Sequence, residues 1–144
     1  MSKLNQLVAT NNSVSSLVLR VPLGIIFAAH GAQKLFGWFG GYGLEGTGKF
    51  MSSLGMEPGV LMAALAGSAE FFGGLLLIVG LLTRPAALAL AFTMIVAIFS
   101  VHISHGLFMS NNGYEFALAL LAGVLSLVFS GGGRASVDSI IARK

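Results

Sequence analysis

The sequence predicts an all-α integral membrane protein, built as a four-transmembrane-helix bundle. The 144-residue chain has a mean hydropathy of +0.89 and only 9% charged residues, whereas a soluble domain carries about 25%. Its apolar residues fall into four stretches, each near the roughly 20 residues that a spanning helix needs. Alternating strand patterns are lacking, which argues against an outer-membrane barrel. We therefore expect a single transmembrane domain over residues 1–144.

The predicted spanning helices follow one another with one long connection, a Gly-rich outer loop at residues 37–59. The first helix has no small-residue cleavage site after it, so we expect a retained helix and not a signal peptide. Thr83 and Pro85 are typical of a cap and first turn, which makes the second and third helices antiparallel neighbours. The predicted spans are residues 16–36, 60–82, 85–105 and 113–130.

Basic residues predict the orientation. Two lysines, Lys34 and Lys49, fall on one side of the four-span arrangement, and six basic residues fall on the other. The positive-inside rule then places both termini in the cytoplasm. We attribute the net charge of +3 to topology and expect no nucleic-acid partner. The six are Lys3, Arg20, Arg84, Arg134, Arg143 and Lys144.

Ionisable residues inside the apolar stretches are the strongest functional signal. Glu70 lies near the expected midplane, where an unpaired carboxylate is costly. Arg20, His30 and Lys34 share one face of the first helix at 100° per residue. With a rise of about 1.5 Å per residue, Arg20 alone falls in the inner half of the bundle, and the other ionisable side chains of the apolar stretches fall in the outer half. We predict a pocket there, whose candidate ligand-binding residues are His30, Lys34, Glu70, His102, His105 and Glu115.

Within that pocket, we expect His30, Glu70 and His102 to form the lining, and the other three residues to form the mouth. Glu70 is expected to hydrogen-bond His30, and the alternative partner is Lys34. Simpler roles stay open for the others. Lys34 could extend to the outer headgroups, the two later histidines could be interfacial, and Glu115 could cap the fourth helix.

Structural roles are the alternative for the residues at the opposite end. Arg20 could extend inward or pair with Asp138, and Arg84 is a topology residue. Small residues in the second span, such as Ala63 and Gly67, are expected to let helices pack closely.

Several chemistries are excluded or disfavoured. The chain has no cysteine, which removes thiol catalysis and iron–sulfur ligation. Residues 41–46 match G-x-G-x-x-G, but no strand precedes them, so we interpret them as a flexible outer loop. His30 opposite His102 has the arrangement that binds haem b across a bundle. Spacing alone is weak evidence, and we expect neither haem nor a metal.

Several runs along the chain match a known pattern. They are Leu19-Arg20, His30-Gly31, Lys34-Leu35-Phe36-Gly37, Glu70-Phe71-Phe72-Gly73-Gly74, Gly80 to Arg84, His102, Asn112 to Glu115, and Gly131 to Asp138. Together these runs resemble the DoxX family. The resemblance covers nearly the whole chain and departs from the usual G-P-G-R ending at Gly132. It implies a small four-helix protein of the bacterial inner membrane, related to the membrane subunit of thiosulfate:quinone oxidoreductases, and it assigns no catalytic residue.

Three functions compete on this basis. The first is a redox-associated membrane subunit that binds a quinone or similar small lipophilic ligand, with a soluble redox protein as electron partner. The second is a non-enzymatic scaffold for soluble partners. The third is a small proton or solute transporter, for which four helices are few unless the chain forms a homo-oligomer.

Overall fold

The computed structural model describes residues 3–143, which form helices and connecting turns with no strand among them. Three helical stretches are long and apolar enough to cross a membrane, and a fourth apolar helix, α6, has 16 residues. The α-helices in chain order are α1 (Lys3–Leu7), α2 (Val14–Phe36), α3 (Gly43–Ser53), α4 (Gly59–Val79), α5 (Thr83–Ala97), α6 (Glu115–Ser130) and α7 (Val137–Ile141).

The α5 helix changes its hydrogen-bonding pattern before it ends. A π-helical turn follows at Ile98–His102, and a 3-10 turn at Ile103–His105 completes the 23-residue apolar stretch from Thr83. Single π turns inside α-helices are rare, and those that occur often lie at functional sites. The predicted third span, 85–105, therefore corresponds to this stretch with its start two residues earlier.

Glycines on both partners bring α2 and α4 into close contact. A Cβ at Gly31 would clash with the backbone of Phe71, and one at Gly74 would clash with the backbone of Ala28. Small residues allow backbones to approach closely where lipid offers no hydrophobic driving force. We call this contact between the two helices the α2–α4 seam. It holds α2 and α4 close enough for side chains beside the seam to contact each other.

The apolar core lies between α2, α4, α5 and α6. Phe27, Leu77, Leu90, Val124 and Leu127 have at most 1% of their surface exposed. Each of these four helices contributes at least one of these side chains. The core occupies the middle of the bundle and separates polar groups at its two ends.

Two expectations about the connections are wrong. Residues 37–59 are not simply a loop, because they include α3, whose Thr47 and Gly48 are buried. Gly48 contacts Val60 so closely that a Cβ there would lie 2.9 Å from the Val60 Cα. The Gly-rich stretch at 41–46 therefore leads into a packed helix. Its glycines permit the positive φ of Gly43 and allow close packing. A glycine-rich composition is the same whether the glycines serve packing or flexibility, so composition alone could not predict the helix.

The start of α5 is also capped differently from the prediction. Thr83 is the first helical residue, and within residues 3–143 its hydroxyl has no hydrogen-bond partner. The cap comes from Asp138, whose two carboxylate oxygens accept hydrogen bonds from the amides of Leu82 (2.8 Å) and Thr83 (2.9 Å). A carboxylate 55 residues away thus satisfies amides at the positive end of the helix.

Candidate functional site

A buried ion pair joins α2 to α4. Lys34 Nζ lies 2.6 Å from Glu70 Oε2, and the two side chains are 24% and 5% exposed. Gly67, one turn before Glu70, allows this approach, because its Cα faces the Lys34 Cβ and the Leu35 side chain. Glu70 therefore faces the bundle, paired with a cation, as the cost of a carboxylate at membrane depth requires.

The ion pair leaves hydrogen-bonding capacity unused. A lysine ammonium has three donors and a carboxylate has about four acceptor positions. Among residues 3–143, Lys34 Nζ donates to Glu70 alone and Glu70 accepts from Lys34 alone. Two donors and most of the acceptor positions are thus free to bind a polar group.

His30 lies one turn before Lys34 on α2 and faces α6. Its ring centroid is 6.1 Å from that of Phe116, and the i, i+4 spacing on α2 places its side chain beside that of Lys34. No hydrogen bond to its ring nitrogens is found within the described part of the chain. Our expectation that Glu70 hydrogen-bonds His30 is wrong, and the alternative partner, Lys34, is the one observed. The lysine side chain is long enough to reach the carboxylate, and it supplies a full positive charge.

The remaining three predicted residues are held by the segment between α5 and α6. His102 Nδ1 lies 2.9 Å from the Asn112 carbonyl, and His105 Nδ1 lies 2.9 Å from the Val101 carbonyl. Each histidine thus has one ring nitrogen occupied by local backbone. His105 is exposed, whereas His102 is half-buried at the end of the π turn.

Glu115 does not form the capping box that its spacing suggested. The α6 helix begins at Glu115 itself, and its cap residue Tyr114 makes no side-chain hydrogen bond to the helix. The Glu115 carboxylate instead accepts from the Met109 amide at 3.2 Å. It therefore folds back on the preceding turn and fixes the connection from α5.

The structure thus brings together His30, Lys34 and Glu70, and places the other three candidates on the neighbouring connection. The pocket predicted from all six stays a prediction. An apolar groove of about 240 Å³ lies along α2 and α4, and its lining includes Ala28, Ala32, Phe71, Trp38 and Phe39. None of the six predicted residues lines it. No group of three potential metal ligands is found in residues 3–143.

A family comparison covers these elements. The DoxX family model matches residues 15–103, from the start of α2 to the end of the π turn. The chain belongs to the DoxX family. The matched region includes His30, Lys34, Glu70 and His102, whereas Glu115 lies beyond it.

Relatives of this DoxX protein align over most of their length. It is 36% identical over 117 residues to "Putative oxidoreductase CatD" of Bacillus subtilis, covering 81% of each chain. It is 34% identical over 137 residues to "Inner membrane protein YqjF" of Escherichia coli, covering 91% of this chain and 95% of the relative. An uncharacterized protein of Haemophilus influenzae is 33% identical over 132 residues, covering 90% and 85%. No solved structure matches.

Arg20 has a different environment from Lys34, although both lie on α2 within this DoxX region. Its side chain is 1% exposed and donates five hydrogen bonds, all to main-chain carbonyls. A guanidinium has five N–H donors, so none is left for a ligand. The acceptors are the carbonyls of Leu77, Ile78, Gly132, Arg134 and Ala135.

The expected pairing of Arg20 with Asp138 is replaced by separate roles for the two residues. Arg20 binds the last turn of α4, where a cation complements the helix dipole, and Asp138 binds the first turn of α5. Arg84 donates to the Ala9 carbonyl at 2.7 Å and fixes the segment before α2. These residues stabilise the α4–α5 turn, and the positive φ of Leu82 (48°) is part of that turn.

Proposed function

We propose that this DoxX protein is a redox-associated membrane subunit that binds a quinone or its quinol, or a similar small lipophilic ligand, at His30, Lys34 and Glu70. One observation carries the proposal. The Lys34–Glu70 pair lies on spanning helices, is largely withdrawn from solvent, and uses only one of the lysine's three donors. Ionisable residues in such a position mark ligand or proton sites by default.

The chemistry of these groups suits a quinone headgroup. The free Lys34 donors can bind a quinone carbonyl oxygen, and His30 offers a second donor or acceptor nearby. Oxidation of a quinol releases two protons and two electrons, so it needs bases at the site. Glu70 and His30 can each accept a proton, and the two electrons pass to a soluble redox protein, because the cysteine-free chain cannot hold them in a thiol or iron–sulfur centre.

Two further points support this assignment. The relative from Bacillus subtilis is named as an oxidoreductase, and the E. coli relative is named as an inner membrane protein. The saturated hydrogen bonding of Arg20 at the other end of the bundle disfavours a continuous polar path for transport. Entry of a quinone from within the bilayer is consistent with a site in one half of the bundle, where the Lys34 side chain stays partly exposed.

The test is binding of a short-chain quinone to purified protein in nanodiscs, measured by equilibrium dialysis. We expect Lys34→Gln and Glu70→Gln to weaken binding by about tenfold, since a hydrogen bond to a charged group contributes about 1.5–3 kcal/mol. The matched controls are Lys49→Gln and Glu45→Gln. These residues form an ion pair of 3.2 Å on α3 that is 78% and 84% exposed, and their loss should leave binding unchanged. Equal, weak binding to all five proteins would favour the scaffold function instead.

We also propose that both termini face the cytoplasm. The support is the distribution of charge. The bundle end formed by residues 3–13, 80–84 and 131–143, here called the α1–α7 end, carries a strong basic excess. Reporter fusions after Lys144 and within α3 should give opposite signals, with the fusion after Lys144 cytoplasmic. A periplasmic signal from that fusion would reverse the orientation, although it would leave the ion pair and its ligand unaffected.

A further inference from the structure

The α1–α7 end has cations without matching anions. Among residues 3–143 it carries Lys3, Arg84, Arg134 and Arg143 in addition to the buried Arg20. Its one acidic side chain, Asp138, is 1% exposed and has both oxygens occupied by the amides of the α5 cap. The other bundle end holds four glutamates and two lysines. The α1–α7 end therefore has an unbalanced positive charge.

A polar groove opens at this end between the segment before α2 and the α7 helix. It has a volume of about 200 Å³ and is lined by Thr10, Asn12, Ser139, Ala142 and Arg143. Within the described range, neither the Arg143 guanidinium nor the Asn12 amide makes a hydrogen bond to protein. The groove thus presents one full cation and one neutral donor group that the fold itself does not use.

The groove lies at the depth of lipid headgroups. Val14, which begins the first spanning helix, is two residues from Asn12 and is 48% exposed. Apolar side chains on the two short flanking helices are also exposed, Leu7 on α1 by 46% and Ile140 on α7 by 62%. In a bilayer these side chains belong beside acyl chains, which sets the groove level with the phosphates.

We propose that this groove binds the phosphodiester headgroup of an anionic phospholipid, with Arg143 and Asn12 contacting the phosphate oxygens. Charge complementarity and depth carry the proposal together. Basic pockets at the ends of spanning helices bind such headgroups, and arginine is suited to phosphate because its planar donors match two oxygens at once. The apolar side chains of α1 and α7 pack against the acyl chains of the same lipid.

The test uses protein reconstituted in phosphatidylcholine bilayers, with spin-labelled phosphatidylglycerol as the probe and spin-labelled phosphatidylcholine as the reference. The readout is the ratio of the two lipids' association constants for the protein surface. We expect the wild type to prefer phosphatidylglycerol. Arg143→Gln should lower that preference by about tenfold or more, because a hydrogen bond from a charged group to a phosphate oxygen contributes about 1.5–3 kcal/mol in addition to the diffuse attraction that every basic residue at this end exerts. Asn12→Ala should lower it by a smaller factor.

Arg134→Gln is the matched control. Arg134 is exposed at the same end, its side chain does not line the groove, and its removal changes the net charge equally. We expect less than half the effect of Arg143→Gln on the ratio. Equal losses would show that diffuse charge alone attracts the lipid, and unchanged ratios in both variants would show no headgroup site. Either result overturns the proposal, as would displacement of the labelled lipid by millimolar inorganic phosphate, which would indicate a free-anion site.

Discussion

Replacing Arg20 by methionine should destabilise the bundle strongly, even though the residue touches no proposed ligand. The substitution keeps an unbranched apolar stem of comparable reach and removes all five donors. Three segments then lose their common link, because Arg20 joins α2 to the end of α4 and to the turn before α7. An isolated charge effect would be small by comparison, since the guanidinium forms no ion pair in the described structure.

The magnitude follows from what each carbonyl retains. The Leu77 carbonyl keeps a bond from the Gly80 amide at 3.2 Å, so it is not left unpaired. The Gly132 carbonyl is buried and loses its partner, which costs about 1–3 kcal/mol. The carbonyls of Ile78 and Ala135 are partly buried and add less, because water can reach them. We expect a total loss of about 2–5 kcal/mol in the free energy of unfolding.

The assay is equilibrium unfolding in mixed dodecyl maltoside and sodium dodecyl sulfate micelles, followed by circular dichroism. Arg20→Lys should lie between the wild type and Arg20→Met, since three donors can satisfy only part of the set. Arg134→Gln is the surface control and should stay within about 0.5 kcal/mol of the wild type. An Arg20→Met protein as stable as this control would refute the reasoning, because it would mean that the buried carbonyls do not need their donors.

Three further variants probe other contacts. Glu70→Gln should lower the free energy of unfolding by about 1–3 kcal/mol in the same assay. The double variant with Lys34→Gln should lose less than the sum of the two single losses. Strict additivity would show that the two side chains are not coupled. Gly31→Ala should separate α2 from α4 and lower the dodecyl sulfate fraction at which the protein unfolds, because the new methyl would clash with backbone atoms. Gly73→Ala should be milder, because the atoms nearest to its new methyl belong to the Leu90 side chain and lie at least 3.1 Å away. The reverse order would contradict the close contact of α2 and α4. Thr83→Val should stabilise the fold by about 1 kcal/mol, because it removes a buried hydroxyl without a partner, and a loss of stability would mean that the hydroxyl is hydrogen-bonded in solution.

The helical class and three of the spans could be predicted from the sequence because hydropathy and length are properties of contiguous residues. The expectation that Glu70 has a partner followed from the cost of an unpaired carboxylate within a spanning helix. The choice between His30 and Lys34 could not be predicted, because it depends on side-chain reach and on how closely α2 and α4 pack. That separation is set by glycines at Gly31 and Gly74, whose pairing across the seam is a tertiary property.

The connections were the least predictable part. Gly-rich composition at 37–59 is typical of loops, yet α3 forms there because Gly48 allows contact with α4. The cap of α5 was assigned to Thr83 because sequence rules search the residues next to a helix. Asp138, which supplies it, lies 55 residues away. Only the path of the chain after α6 brings that carboxylate to the α4–α5 turn.

The unequal use of hydrogen bonds on α2 distinguishes the two ends of this DoxX bundle. Arg20 donates all five of its hydrogen bonds to backbone carbonyls and is shielded from solvent. Lys34, four turns further along, uses one of its three N–H donors and stays partly accessible. A permeation path would need polar groups with free hydrogen-bonding capacity at the depths of both Arg20 and Lys34. The Arg20 guanidinium has no free donor, so it does not provide such a group. Under the proposed function, the ligand enters and leaves by the half of the bundle that holds Lys34. Arg20 and Lys34 are then two cations on one helix with different roles, because Arg20 binds main-chain carbonyls and Lys34 keeps donors for the ligand.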